Sequence, residues 1–120
     1  MINITVTEVG GKLIGEIVSD SIVLANEDDG LDILGECKGL GINGLVMHEH
    51  NIAPAFFELR TRLAGEVLQK FTQYHVRLAV VMGFRNLESK SLRDFIGESN
   101  RMGNIIFTDS AEEAMGRLAR

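Results

Sequence analysis

Residues 76–82, VRLAVVM, are apolar at every position but one. A strand that rests one face on a core and shows the other to water alternates apolar and polar residues. A strand without that alternation must be covered on both faces. This segment therefore asks for a central parallel strand with helices above and below it, and the rest of the chain must supply them.

The flanking segments do so. Ile2, Ile4 and Val6 alternate with Asn3, Thr5 and Thr7, the period of a half-buried strand, and Gly10-Gly11 suits a tight hairpin turn. Leu13, Ile14, Ile17 and Val18 form a second run, so the first two strands are expected to pair antiparallel. Asn26 is positioned to cap a helix, with Glu27, Asp28 and Asp29 in its first turn, where carboxylates meet the positive end of the helix dipole. Leu31, Leu34 and Cys37 recur at helical spacing; Gly30 and Gly35 weaken that helix, and Gly39 or Gly41 ends it. Leu45-Val46-Met47 reads as a short buried strand, and Pro54 introduces a long helix over residues 55–72. Residues 89–102 give another helix, with Leu92, Phe95, Ile96, Ser99 and Met102 on one face. Ile105-Ile106-Phe107 is the last strand, and Ser110 with Glu113 has the S-x-x-E spacing of a capping box opening a final helix. The expected order is β-β-α-β-α-β-α-β-α. This is an α/β fold with a mixed, mostly parallel sheet and an antiparallel edge hairpin, and residues 1–120 are read as one domain.

Composition narrows the function classes. The net charge is −5, opposite to that of a protein built to coat nucleic acid. Its distribution is uneven: residues 1–50 hold nine acids and two bases, residues 51–120 eight acids and ten bases. An acidic helix surface on an otherwise balanced chain suits a protein partner better than a polyanion. One cysteine, Cys37, cannot form an internal disulfide, and no apolar run approaches the roughly 20 residues of a membrane span. The N-terminal ten residues lack a basic lead and an apolar signal core, so a cytoplasmic protein is expected, bound neither to membrane nor to nucleic acid.

Candidate chemistry is sparse. His48-Glu49-His50-Asn51 follows a predicted parallel strand, at the strand ends where open α/β sheets bind ligands. His-x-His with a carboxylate could begin a metal site, but further ligands would have to come from elsewhere, and His75 falls at the opposite end of a strand. No metal or other cofactor is assigned. On the predicted long helix Glu58, Arg62, Glu66 and Lys70 form an alternating solvated ladder, whereas Arg60 projects into the apolar face of Phe56, Phe57, Leu63, Val67 and Phe71. An arginine there is paired, snorkels to the rim, or binds something; Glu49, Asp94 and Glu98 are candidate partners. Ser89, Lys90, Ser91 and Arg93 open the next helix, where capping is the ordinary role and anion binding the functional one. Ala64-Gly65 would permit close approach of a sheet or partner chain, and Cys37 reads as a core residue. No nucleotide-binding glycine motif and no nucleophile elbow occurs.

The order and lengths of these elements resemble the small STAS domains, the anti-sigma-factor-antagonist fold, and IIFTDSAEEAM (105–115) is similar to that family's last strand and final helix. FFELRTRLAGEVLQKF (56–71) and SKSLRDFIGESN (89–100) resemble segments of a bacterial family known only as a domain of unknown function. The STAS resemblance implies a fold used chiefly for docking to other proteins and sometimes for sensing a ligand. STAS antagonists carry a phosphorylatable serine in an Asp-Ser-Ser/Thr-Gly stretch after the third strand. The matching region here, His48-Glu49-His50-Asn51-Ile52-Ala53-Pro54, has neither Ser nor Thr, so that switch does not carry over.

Two readings follow. One is a non-enzymatic, STAS-like regulatory or interaction domain that binds a protein partner around residues 48–54. The other is a small-molecule or anion-binding protein, with hydrolase as its enzymatic form, using His48, Glu49, His50 and Arg60, with Ser89, Ser91 and Arg93 as further binding candidates. Homo-oligomerisation through exposed apolar helix surface is compatible with both.

Overall fold

The computed structural model describes residues 2–58, 61–83, 90–102 and 105–120, the side chains at 91, 92 and 102 excepted. Among these residues β1 (Ile4–Val9), β2 (Lys12–Ile17), β3 (Gly44–His48), β4 (Arg77–Val81) and β5 (Ile105–Thr108) form one sheet in the order β1-β2-β3-β4-β5. β1 pairs antiparallel with β2 through the Gly10-Gly11 turn, both glycines holding positive φ, and the remaining neighbours are parallel. The helices are α1 (Glu27–Leu40), α2 (Leu63–Gln73), α3 (Lys90–Met102) and α4 (Ala111–Leu118). The expected β-α alternation and mostly parallel sheet are present.

Sequential order from β2 to β5, with right-handed crossovers, puts every connecting helix on the same face of the sheet. Ile17, Leu45, Met47, Leu78, Val80, Ile105 and Phe107 accordingly pack on Ile33, Leu34 and Cys37 of α1, Val67 and Phe71 of α2 and Ile96 of α3. α4 follows the last strand and covers the other face, where Ala114 and Leu118 meet Ile14, Val46, Ala79 and Ile106. Leu78, Ala79 and Val80 are all fully buried, which is why this strand shows no alternation. Burying Val67 and Phe71 contributes roughly 1.5–3 kcal/mol each, which holds in place an 11-residue helix that would be marginal alone.

Local chemistry sets the helix ends. The Asn26 side chain accepts from the Asp29 N–H at 2.8 Å, and Gly41, at φ 72°, closes α1 in the left-handed conformation. Ser110 Oγ accepts from the Glu113 N–H at 3.1 Å and starts α4. Asn100 closes the outer edge of the sheet. Its amide donates to the Phe107 carbonyl at 3.1 Å and accepts from the Phe107 N–H at 2.6 Å, standing where a sixth strand would pair.

One expected element is broken in two. In place of a continuous helix over 55–72, a 3-10 turn (Pro54–Phe57) precedes α2, and Glu58, Thr61 and Arg62 between them are not α-helical. Thr61 is the cause. Its hydroxyl donates towards the carbonyls of Ala55 at 2.6 Å and Glu58 at 2.8 Å, competing for helix acceptors, and Arg62 turns left-handed at φ 61°. The four-membered charge ladder is therefore not built on one helix; Glu66 and Lys70 share α2, and Lys70 also lies 3.8 Å from Glu27. Gly65 is exposed, and a Cβ there would meet nothing within 4 Å, so it admits no close neighbour in this chain. Gly30 does, with a Cβ position 3.6 Å from Val67, where α1 crosses α2.

Among the described residues the exposed large apolar ones are Val6, Leu13, Val18, Ile22, Leu40 and Tyr74, and of these Leu40 alone lies within a helix. Among the described residues no helix is long and apolar enough to cross a membrane.

Gly35 lies inside α1, exposed, with open space around its missing Cβ. Gly35→Ala is expected to stabilise the protein by about 0.5–1 kcal/mol through helix propensity and a less flexible unfolded chain, read as a higher urea midpoint with an unchanged m-value.

Candidate functional site at the carboxyl ends of the strands

β3 ends at His48, and the chain turns at once into a short 3-10 segment, Glu49–Asn51. Parallel pairing sets Glu16 beside Val46, so His48, two residues further on, points to the same face as Glu16 and is its diagonal neighbour. His48 Nε2 lies 2.7 Å from Glu16 Oε2, the length of a charge-assisted bond, with each side chain about a quarter exposed. His50 Nε2 lies 2.9 Å from the Ser19 carbonyl oxygen. A carbonyl and a carboxylate only accept, so both Nε2 atoms carry a hydrogen and donate. The two rings stack with centroids 5.6 Å apart.

Asn51 is the centre of this arrangement and is fully buried. Its amide donates to the carbonyls of Ser19 at 2.9 Å and Ser21 at 3.0 Å, and its Oδ1 accepts from the His48 N–H at 3.2 Å. Its own carbonyl accepts from the N–H groups of Val23 and Leu24. Leu24 and Ile52 then form an isolated parallel bridge. The loop after β3 is thereby tied to β2 by His48 and to the segment between β2 and α1 by His50 and Asn51.

Two hollows open beside the loop. A shallow crevice of about 410 Å³ is lined by His48, Glu49, His50, Met82, Gly83 and Asp109, at the ends of β3, β4 and β5. A second, of about 380 Å³ and mostly apolar, is lined by Ile22, Ile52, Pro54 and Phe57 and shares Glu49, His50 and Met82 with the first. Among the described lining residues there is no hydroxyl or thiol nucleophile, and no Lys or Arg to hold an anion. No three His, Cys, Asp or Glu side chains among the described residues are grouped to hold a metal ion.

The structure thus brings His48, Glu49 and His50 together at one crevice, with Asp109 and Met82 added from neighbouring strand ends. Arg60 and Ser89 lie outside the described residues, and so does the side chain of Ser91. Arg93 is exposed on α3, has an interaction partner, and lines neither hollow. Lys90 is held by Asp94 at 2.9 Å. Phe56 is 1% exposed and belongs to the core. The sequence reading missed Glu16, Asn51 and Asp109 as partners; strand alternation places Glu16 and His48 on faces but not side by side, and only the β2–β3 register does that. Cys37 is fully buried, and burial, with Glu36 nearby, pushes its thiol up from 9.0 to about 11, so it is not a thiolate at neutral pH.

Removing the Asn51 side chain leaves two carbonyls and an N–H without their partner. Asn51→Ala is expected to destabilise the protein by about 2–3 kcal/mol, with hydrogen exchange accelerated first over residues 19–24. Folded Cys37 keeps its proton to about pH 11, whereas an unperturbed thiol loses it near 9.0. Between those values the unfolded state binds fewer protons, so stability falls as pH rises, by about 1–3 kcal/mol across the window. Urea unfolding at pH values spanning that window should show a shallower loss in Cys37→Ala.

Residues 9–118 match the family DUF4180, a domain of unknown function, and the chain belongs to that family. Comparison with curated proteins and with solved structures gives no match.

Proposed function

We propose that this DUF4180 protein is a non-enzymatic, STAS-like regulatory or protein-interaction domain, docking its partner on the apolar hollow beside the loop after β3. The element order and the single antiparallel edge hairpin support the STAS-like assignment. The loop has no Ser or Thr at residues 48–54, so the partner is recognised without the phosphorylation switch of STAS antagonists.

One observation carries the reading: the polar groups of His48, His50 and Asn51 are engaged within the chain, while an exposed Ile22 stands at the mouth of a mostly apolar hollow. Nε2 of His48, Nε2 of His50 and the Asn51 amide all engage residues 16–21. Ile22 remains 52% exposed at the mouth of a hollow backed by Ile52, Pro54 and Phe57. A large apolar side chain seated there would remove Ile22 and Phe57 from water, and Glu49 and Asp109 favour a partner with basic groups around that anchor.

Ile22→Asp tests this without touching the core. Affinity capture from native lysate should recover a partner with the wild type and lose it with the variant, the two having the same circular dichroism and unfolding midpoint. The same proteins recovered by both would sink the proposal.

A further inference from the structure

β1 is an edge of the sheet, and its pairing with β2 settles which backbone groups face outward. The Val18 N–H donates to the Asn3 carbonyl at 2.9 Å, one step beyond the pair of Ile4 with Ile17. Hydrogen-bonded pairs alternate along an antiparallel ladder, so Asn3, Thr5, Thr7 and Val9 turn their N–H and C=O groups toward β2. Ile4, Val6 and Glu8 turn theirs away from it. Among the described residues no backbone or side-chain group of the chain bonds them there, and residues 5–8 are all exposed.

The two edges of the sheet differ. At β5, the Asn100 side chain takes both the N–H and the carbonyl of Phe107 and closes the ladder. β1 carries no such closure. Its sequence, ITVTEV, has no Lys, Arg or Pro, and its six residues pair with β2 one to one, without a bulge that would twist the edge away. Val6, at the middle of the strand, is 38% exposed.

We propose that β1 pairs antiparallel with β1 of a second copy of this chain, about a two-fold axis through Val6, joining two five-stranded sheets into one. The strand is its own complement in this register. Val6 pairs with Val6 of the second copy and Ile4 with its Glu8, so the outward N–H and C=O groups of all three residues are satisfied. Thr5 stands opposite Thr7 at both ends, on the face that carries Ile14 and α4, and threonines so placed hydrogen-bond across strands. On the other face the two Val6 side chains cover each other. Sliding one strand by two residues either way would set Ile4 against Gly10 of the turn, or Glu8 against Ile2 outside the strand. In the two-fold register the Glu8 carboxylates are four residues apart along the strand, roughly 13 Å, beyond the Debye length of about 8 Å at physiological salt. A pairing this short falls below the roughly 800 Å² per partner of a standard interface, so the dimer is reversible, with a Kd of about 10–100 μM. It uses none of the residues of the hollow beside Ile22, and is independent of the partner proposed there.

Sedimentation velocity from about 1 to 1,000 μM should carry the 13.2 kDa chain from monomer to dimer. Val6→Pro removes one outward N–H and leaves the bonds to β2 in place, and Val6→Lys sets a charge on the two-fold axis. Both should weaken the dimer by at least about 10-fold with unchanged circular dichroism, while Ile22→Asp leaves it intact. Hydrogen exchange reads the register: at high concentration the amides of Ile4, Val6 and Glu8 should gain protection, and those of Thr5 and Thr7, already bonded to β2, should change little. A monomer at every concentration would overturn the proposal and leave the edge to solvent or to a strand of another protein. A dimer that survives both Val6 variants, or that Ile22→Asp abolishes, would overturn it in favour of another surface.

Discussion

Strands β2 to β5 lie side by side in the order in which the chain makes them, and right-handed crossovers then allow one arrangement. All three connecting helices share a face, and α4 is left to cover the other alone. Because each helix runs back against its strand, the helix N-termini gather at one end of the sheet and the C-termini at the other. Both hollows beside the loop after β3 lie at the first end, and a third, lined by Lys12, Gly44, Arg77 and Leu118, lies at the second.

That arrangement gives the charge distribution its meaning. Glu27, Asp28 and Asp29 open α1, and Glu112 and Glu113 open α4; Lys38, Lys70, Arg101 and Arg117 fall in the last turns of α1, α2, α3 and α4. Each placement opposes the local helix dipole and contributes some tenths of a kcal/mol. The acidic first turns of α1 and α4 therefore fall at one end of the sheet, and the basic last turns of all four helices at the other. The net charge of −5 is the sum of these unlike ends, which is why it predicts neither surface by itself.

The loop after β3 shows why a suggestive motif is hard to weigh in one dimension. His48, Glu49, His50 and Asn51 stand at the ligand-binding position of an α/β sheet, and residue types alone leave metal binding, catalysis and structure open. The deciding facts are the Glu16 carboxylate, supplied by the β2–β3 register, and the Ser19 and Ser21 carbonyls, which Asn51 reaches across 30 residues or more of chain. No periodicity signals either. The long helix failed for a related reason: the apolar spacing from Phe56 to Phe71 is helical, but the pattern carries no information about the Thr61 hydroxyl competing for the Ala55 and Glu58 carbonyls.

What the sequence determined by itself is therefore the scaffold. The unbroken apolar run at β4, the alternation and Gly10-Gly11 turn of the first hairpin, and the caps at Asn26 and Ser110 are short-range signals, each acting within a few residues. Tertiary structure decided which surfaces that scaffold presents. The Glu16–His48 pair, the burial of Asn51 and the meeting of Lys12 with Arg77 all depend on strand register and crossover handedness. Those bring together residues from 30 to more than 60 positions apart, a separation over which local residue patterns specify nothing.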